Sequence, residues 1–379
     1  MYGSDFINML RNRYLLAFLL MGALVFSSAC REDLTNVPGT KEEIFAENLP
    51  GALGENTEWL KMAGTPNEIL AMAKFKGDIY LAGTFDSGNG NSFIVRYDGQ
   101  QVVPLLTGSF SPGSDGIYAL HANDTALFIG GEFAYTENGS TYVSAMYFDG
   151  QTIRGNTTWQ IVTAHDIVEF NNQVWFAGEM AQNVTTTHHV MTLNPPGMGT
   201  ALPMVSFEVF DAHVFEESLH VVGRPYSTGN NRHFARFQSG AWTYEALTVS
   251  SFFPNTQYEA YTLGDFNSYL FVFAEDQNGE FLLHYRQRDS DWFSDDEVSV
   301  WGSADVRPCF APFKDQFFMG GSRVNIDGTG AVQNVSNVIR FRAGQWVSVG
   351  ALKAAVYDLQ TFDDQLYAAT RDGLYVAIP

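Results

Sequence analysis

A short phrase returns along this chain: a Phe, two or three turn-forming residues, then a hydrophobic–aromatic pair. Its copies are Phe75-Lys-Gly-Asp-Ile-Tyr80, Phe170-Asn-Asn-Gln-Val-Trp175, Phe215-Glu-Glu-Ser-Leu-His220, Phe266-Asn-Ser-Tyr-Leu-Phe271, Phe313-Lys-Asp-Gln-Phe-Phe318 and Phe362-Asp-Asp-Gln-Leu-Tyr367. A seventh, Asn123-Asp-Thr-Ala-Leu-Phe128, lacks the Phe. The last residues of the seven copies are 48, 47, 45, 51, 47 and 49 positions apart. A period in that range marks a propeller blade or another repeat array, in which each unit buries its apolar face against its neighbours.

Each copy sits inside the same order of segments. A short alternating stretch precedes it, at 69–73, 117–121, 166–170, 212–215, 260–263, 307–311 and 356–361. The aromatic segment that follows often ends in glycine: Gly83, Gly130-Gly131, Gly178, Gly223 and Gly320-Gly321. After a polar stretch come Tyr97-Asp-Gly99, Phe148-Asp-Gly150, Phe237-Gln-Ser-Gly240 and Phe341-Arg-Ala-Gly344, then a segment that often carries Trp: Trp159, Trp242, Trp292, Trp346. Alternation broken by Asn-Asn, Asp-Gly or Gly turns predicts antiparallel hairpins. Four strands per repeat predict the blade of a β-propeller, and the glycines predict a bulge or a close backbone approach.

The phase at the two ends predicts the blade count. Glu58-Trp-Leu-Lys-Met-Ala-Gly64 matches the fourth-strand segment Gln345-Trp-Val-Ser-Val-Gly350, whereas residues 356–379 supply only three strands. Six complete blades and one composite blade make seven, closed by pairing of 59–63 with 374–378, which leaves no open seam. The expected fold is therefore all-β, a seven-bladed propeller over 58–379. The double glycine of the second strand, the Tyr/Phe-Asp-Gly of the third and the Trp of the fourth resemble kelch-like and galactose-oxidase-type propellers. The resemblance implies architecture only. Blade 3 has Leu193-Asn-Pro-Pro-Gly197 in place of Asp-Gly, and the copper ligands and Cys–Tyr cross-link of galactose oxidase have no counterpart here.

The N-terminus reads as an export signal. Arg11 and Arg13 precede an apolar run over 14–26, then Ser27, Ser28, Ala29 and Cys30. Charge, a core of that length and small residues make a secretory signal, and the core is short for a bilayer span. Met1 and Met9 are the two alternative starts of translation. Cys30 after Ala29 resembles a bacterial lipobox, with Ser27 departing from the usual aliphatic residue; plain secretion is the alternative. Cleavage after residue 29 would leave Cys30 lipidated and 30–57 as a tether. Arg31-Glu32-Asp33 resembles the surface-export signal of Bacteroidota lipoproteins, or is an ordinary solvated tether.

The formal net charge of −21 repels nucleic acid and anionic headgroups. The expected membrane contact is therefore the lipid alone, and the propeller is expected to be a monomer. With Cys30 lipidated, Cys309 has no disulfide partner and reads as a structural thiol.

Strand parity places the second-to-third loops and the blade-to-blade connections on one face. The loops 84–92, 132–142, 179–188, 224–232, 274–280 and 322–336 are long and polar, which points function to that face and to the channel mouth. Candidate binding residues on them are Asp86, Asn89, Tyr135, Asn138, Tyr142, His188, Tyr226, Arg232, Asp276, Asn325 and Asp327. His188-His189 is either a metal pair or a solvated loop end; neighbours on a strand point apart. Asn325-Ile-Asp327-Gly-Thr-Gly330 offers alternating oxygens for a structural Ca²⁺, the one cofactor expectation. Asp265, Asp305 and Asp358 stand near first strands and the channel. Two function classes stay open: a non-catalytic module binding a protein or glycan, and a secreted polysaccharide hydrolase or lyase with carboxylates at the mouth. With no recognisable catalytic constellation, the first is preferred.

Overall fold

The computed structural model describes residues 53–84, 93–111, 113–158, 161–183, 186–194, 197–226, 232–245, 247, 259–275, 281–288, 290–295, 299–300, 306–322, 324–325, 336–342 and 345–379. Cys30, the signal segment and most of the tether lie outside them.

Seven antiparallel blades of four strands each form a propeller ring, and a short extra strand, Ser109–Phe110, pairs with the second strand of blade 2. Blade 1 comprises Ile69–Phe75, Asp78–Gly83, Ile94–Tyr97 and Val102–Pro104. Blade 2 has Gly116–Ala122, Leu127–Glu137, Ser140–Phe148 and Ile153–Gly155, and blade 3 Ile161–Phe170, Gln173–Asn183, Thr186–Asn194 and Gly197–Ala201. Blade 4 has Phe207–Phe215, Ser218–Pro225, Phe234–Gln238 and Ala241–Tyr244, and blade 5 Glu259–Phe266, Tyr269–Glu275, Phe281–Gln287 and Phe293–Asp295. Blade 6 has Cys309–Phe313, Gln316–Gly320, Val338–Arg342 and Gln345–Ser348. Blade 7 takes Val356–Phe362, Gln365–Thr370 and Gly373–Ile378 from the end of the chain and Glu58–Lys61 from its beginning.

That last pairing closes the ring as expected from the sequence. Glu58 faces Ile378 and Lys61 faces Tyr375 in antiparallel register. The Trp59 indole donates to the Val349 carbonyl of blade 6 (2.8 Å), and the Leu374 N–H donates to the Thr65 hydroxyl (3.1 Å). The closing strand is thus held along its edge, by its side chain and by the residues after it.

The recurring phrase is the hairpin between first and second strands. In six blades the Phe is the last paired residue before a two-residue turn, for example Phe170 opposite Gln173 and Phe362 opposite Gln365. Both turn residues have positive φ, as at Asn171 (52°) and Asn172 (58°) or Asp363 (49°) and Asp364 (58°). This is the turn whose twist matches a right-handed hairpin. Blade 2 pairs Ala122 with Leu127 across a four-residue loop. There the Asn123 side chain accepts the N–H groups of Thr125 (2.9 Å) and Ala126 (3.1 Å), so the missing Phe marks a different turn. The core lies between facing blades. Ala73, Phe75 and Tyr80 of blade 1 pack with Leu127, Ile129 and Met146 of blade 2, all buried, and burial of such side chains contributes about 1.5–3 kcal/mol each.

Two of the expected loops are strand. Residues 132–142 form a long hairpin that turns at Asn138-Gly139, with φ of 50° and 79°. Residues 179–188 mostly extend the second and third strands of blade 3.

Candidate functional site

Six inner strands carry a β-bulge at the same place. The ladder shifts between Ile69 and Ala71, Ile117 and Ala119, Ala164 and Asp166, Val209 and Asp211, Ala260 and Thr262, and Val356 and Asp358. The extra residue bends the strand and re-aims its side chain. The glycines ending the second strands make room for this. A Cβ at Gly83, Gly131, Gly178 or Gly223 would lie 1.9, 2.2, 2.0 or 1.7 Å from a carbonyl oxygen at the bulged end of the inner strand.

The bulged residues are Leu70, Tyr118, His165, Phe210, Tyr261 and Tyr357, and in blade 6 Pro308 stands at the same point of the repeat. All seven line one cavity of about 530 Å³. It lies where the blade connections enter the inner strands, at the mouth of the central channel. Its size is in the range of small-ligand sites, about 300–1,000 Å³.

The rings form a continuous wall over four blades. Tyr118 stacks on His165 (centroids 6.1 Å), His165 meets Phe210 edge-on (5.7 Å), and Phe210 stacks on Tyr261 (6.0 Å). The Tyr118 hydroxyl donates to Asp115, and the Tyr261 hydroxyl to Glu275 and Glu259. Burial and these carboxylates raise both phenols, which stay neutral. His165 Nε2 lies 3.3 Å from Glu208, whose other oxygen takes the Arg224 guanidinium at 2.7 Å. His165 and Arg224 hold the Glu208 carboxyl down to about 2, and burial pushes His165 below its ordinary value.

In blades 3, 4 and 7 the residue after the bulge is an Asp that ties its blade to the next. Asp166 accepts the N–H of Ala212 (3.0 Å), Asp211 that of Leu263 (2.6 Å), and Asp358 that of Met72 (2.9 Å). Each keeps one edge on the cavity. Burial, with Asp211 beside it, raises Asp166 well above the carboxylate range, and burial raises Asp358 to about 6. Cys309, at the same position in blade 6, is a free thiol pushed up by burial.

Arg307 is the one permanent cation on the cavity wall among the described residues. Its guanidinium lies 4.1 Å from the Phe210 ring centroid, having crossed from blade 6 to blade 4.

The sequence placed function on this face, but its named residues do not line the cavity. Tyr135 is a core residue with 0% exposure. Its hydroxyl accepts the Gly108 N–H (2.8 Å) and donates to Glu137 (2.9 Å), so the expectation of an exposed binding tyrosine is corrected. Tyr142 faces it across the hairpin and is half-buried, and Asn138 is in the turn. Tyr226 is 54% exposed beside His189 (3.3 Å), and Arg232 stacks over Tyr244 at 4.5 Å. His188 and His189 share the strand Thr186–Asn194; His189 is buried. Asn325 lies on the strand Val324–Asn325 opposite Ser299. Asp86, Asn89, Asp276, Asp305 and Asp327 lie outside the described residues, as does the side chain of His188. Of the channel acids named from sequence, Asp358 lines the cavity, whereas Asp265 bonds His213 (2.7 Å) toward the other end of the inner strand. Tyr118, His165, Phe210, Tyr261 and Arg307 were not named. A signal existed, since each bulged residue stands ten positions before the aromatic that closes the recurring phrase.

No family model matches the chain, and no curated protein matches it. Among solved structures it is similar to virginiamycin B lyase from Staphylococcus aureus, at 11% identity and a TM-score of 0.50, over 85% of this chain and 98% of that one. It is also similar to YCF48 from Cyanidioschyzon merolae (13%, TM-score 0.48, 84% and 98%) and BamB from Moraxella catarrhalis (13%, 0.46, 88% and 95%). At these identities the likeness is one of fold.

Proposed function

We propose that this chain is an exported outer-membrane lipoprotein, anchored through lipid on Cys30, whose kelch-like propeller is a monomeric, non-catalytic module binding a protein or glycan. The anchor reading rests on Arg11, Arg13, the apolar run and the small residues before Cys30. Replacing Cys30 by Ser is expected to release a soluble form and abolish fatty-acid labelling; equal labelling of both forms would overturn the anchor.

One observation carries the binding reading: the bulged residues of six blades and Pro308 of the seventh converge on one cavity at the channel mouth. The backbone feature repeats while the side chains differ, as a scaffold for recognition requires. A polysaccharide hydrolase or lyase would need an acid and a base free to reach the substrate. Asp166, Asp211 and Asp358 are instead each bonded to the backbone of the next blade, and their recurrence at one position of the repeat favours a structural role. A glycan array with pull-down from native cell surfaces tests this: retention that falls on Tyr118→Ala is expected, and shortening of a bound glycan would instead support the enzyme.

A further inference from the structure

We infer that the channel mouth recognises an acidic sugar, a uronic-acid unit whose carboxylate pairs with Arg307 while its ring stacks on the tyrosine wall. This deepens the binding reading above and rests on it.

The argument starts from what Arg307 lacks. A guanidinium carries five N–H donors in a fixed fork that matches a carboxylate. Among the described residues Arg307 makes one long hydrogen bond, to the Phe210 carbonyl at 3.4 Å, and no ion pair. One face is used on the Phe210 ring, and that long bond is the edge's one hydrogen bond among the described residues. Its nearest acids are already occupied. Glu208 is held by His165 and Arg224, and Asp211 by the Thr262 hydroxyl (2.7 Å) and the Leu263 N–H. Burial disfavours the charged form of Arg307, so a partner that enters the cavity with a carboxylate meets a cation that lacks one.

The rest of the wall selects the kind of acid. Tyr118 and Tyr357 are partly open to the cavity and offer flat apolar surface. Asp115 and Glu132 on the same wall are acceptors only, which suits O–H donors and repels a polyanionic headgroup. A sugar ring supplies an apolar C–H face and several hydroxyls, and a uronic acid adds the one carboxylate that Arg307 fits. A plain organic cation would use the aromatic wall but leave the guanidinium facing a like charge.

The test is calorimetry on the mature chain with glucuronate and galacturonate oligomers, the same sugars as carboxamides, and neutral glucose and galactose oligomers. The uronates are expected to bind and the carboxamides to bind about 10- to 100-fold more weakly, the range for hydrogen bonds to a charged group. Arg307→Gln is expected to abolish the preference and Arg307→Lys to recover only part of it, because the fork is lost; thermal melts check that both fold. If Arg307→Gln does not fold, the carboxamide comparison decides, since the protein is untouched. Carboxamides or neutral sugars binding as tightly as uronates would overturn the inference and leave the binding module standing. So would binding confined to peptides with a free C-terminal carboxylate or to alkylammonium compounds. If no probe of any class binds, and native surfaces yield nothing, the module reading falls as well.

Discussion

The two ends of the inner strands obey the same repeat and treat their side chains in opposite ways. At the turn end the residue types recur: Phe, then a pair such as Asn171-Asn172 or Asp363-Asp364 with positive φ. Asn, Asp or Gly, which adopt the left-handed region at low cost, stands in five of these six turns, Glu216-Glu217 being the exception. At the mouth the backbone recurs and the side chains do not. The same bulge presents Leu70, Tyr118, His165, Phe210, Tyr261 and Tyr357, because nothing in the bulge depends on what points into the lumen. One end is fixed by folding, and the other is left free for recognition.

The largest test breaks the scaffold that both ends share. Removing the strand Glu58–Lys61 leaves the edge of Gly373–Ile378 unpaired and deletes the Trp59 bond to blade 6. Exposed edges template aggregation. The truncated chain is expected to aggregate or to lose its cooperative melt, measured by light scattering and calorimetry. A monomer with an unchanged melting temperature would show that closure contributes little.

Next in size is the turn end. Asn171→Val with Asn172→Val puts β-branched residues at φ of 52° and 58°. At about 1–2 kcal/mol per residue, the pair is expected to cost roughly 2–4 kcal/mol. A denaturant midpoint equal to wild type would mean that the turn conformation is not what fixes this hairpin.

The carboxylates behind the bulges give a pH test of similar or smaller size. Burial raises Asp358 from its ordinary 3.8 to about 6. Between those values the folded chain holds a proton that the unfolded chain has released. Stability from this group is therefore lost as pH rises through that window, by at most roughly 3 kcal/mol. Asp166 is raised in the same sense, while Glu208, held down to about 2, acts oppositely and at lower pH. The difference between wild type and Asp358→Asn isolates one group, since the amide oxygen can still accept the Met72 N–H. The variant is expected to gain on wild type between about pH 4 and pH 6.5; parallel curves would refute a raised Asp358.

This contrast also explains how far the sequence could be read. Recurring turn chemistry made the hairpins, the blades and the closure legible, since Trp59 and Trp346 sit in matching segments. The site was less legible for two reasons. A bulge inserts one residue into a period-two pattern, so alternation at Ile117-Tyr118-Ala119 does not reveal that Tyr118 leaves the sheet for the channel. Polarity also stood in for loop at 132–142, where Asn138-Gly139 is a hairpin turn and Tyr135 is core. Asp358 was found because a lone acid on an inner strand is conspicuous. Arg307 was not, because its meaning depends on a partner two blades away.

The smallest stability effect makes the sharpest test. If the mouth requires only the bulge, exchanging what it presents should barely touch folding. Leu70 is the aliphatic side chain between Tyr357 and Tyr118 in blade order, and it faces the cavity. Leu70→Tyr adds a ring where there is space, and Tyr118→Ala removes one that is partly open. Each is expected to change stability by about 1 kcal/mol or less, as for substitutions outside a packed core, while changing ligand affinity in opposite directions. Leu70→Tyr extends the wall and is expected to tighten binding; Tyr118→Ala opens it and is expected to weaken binding several-fold. A loss of several kcal/mol in either would show that the mouth is packed as core, and the division between a fixed end and a free end would fail.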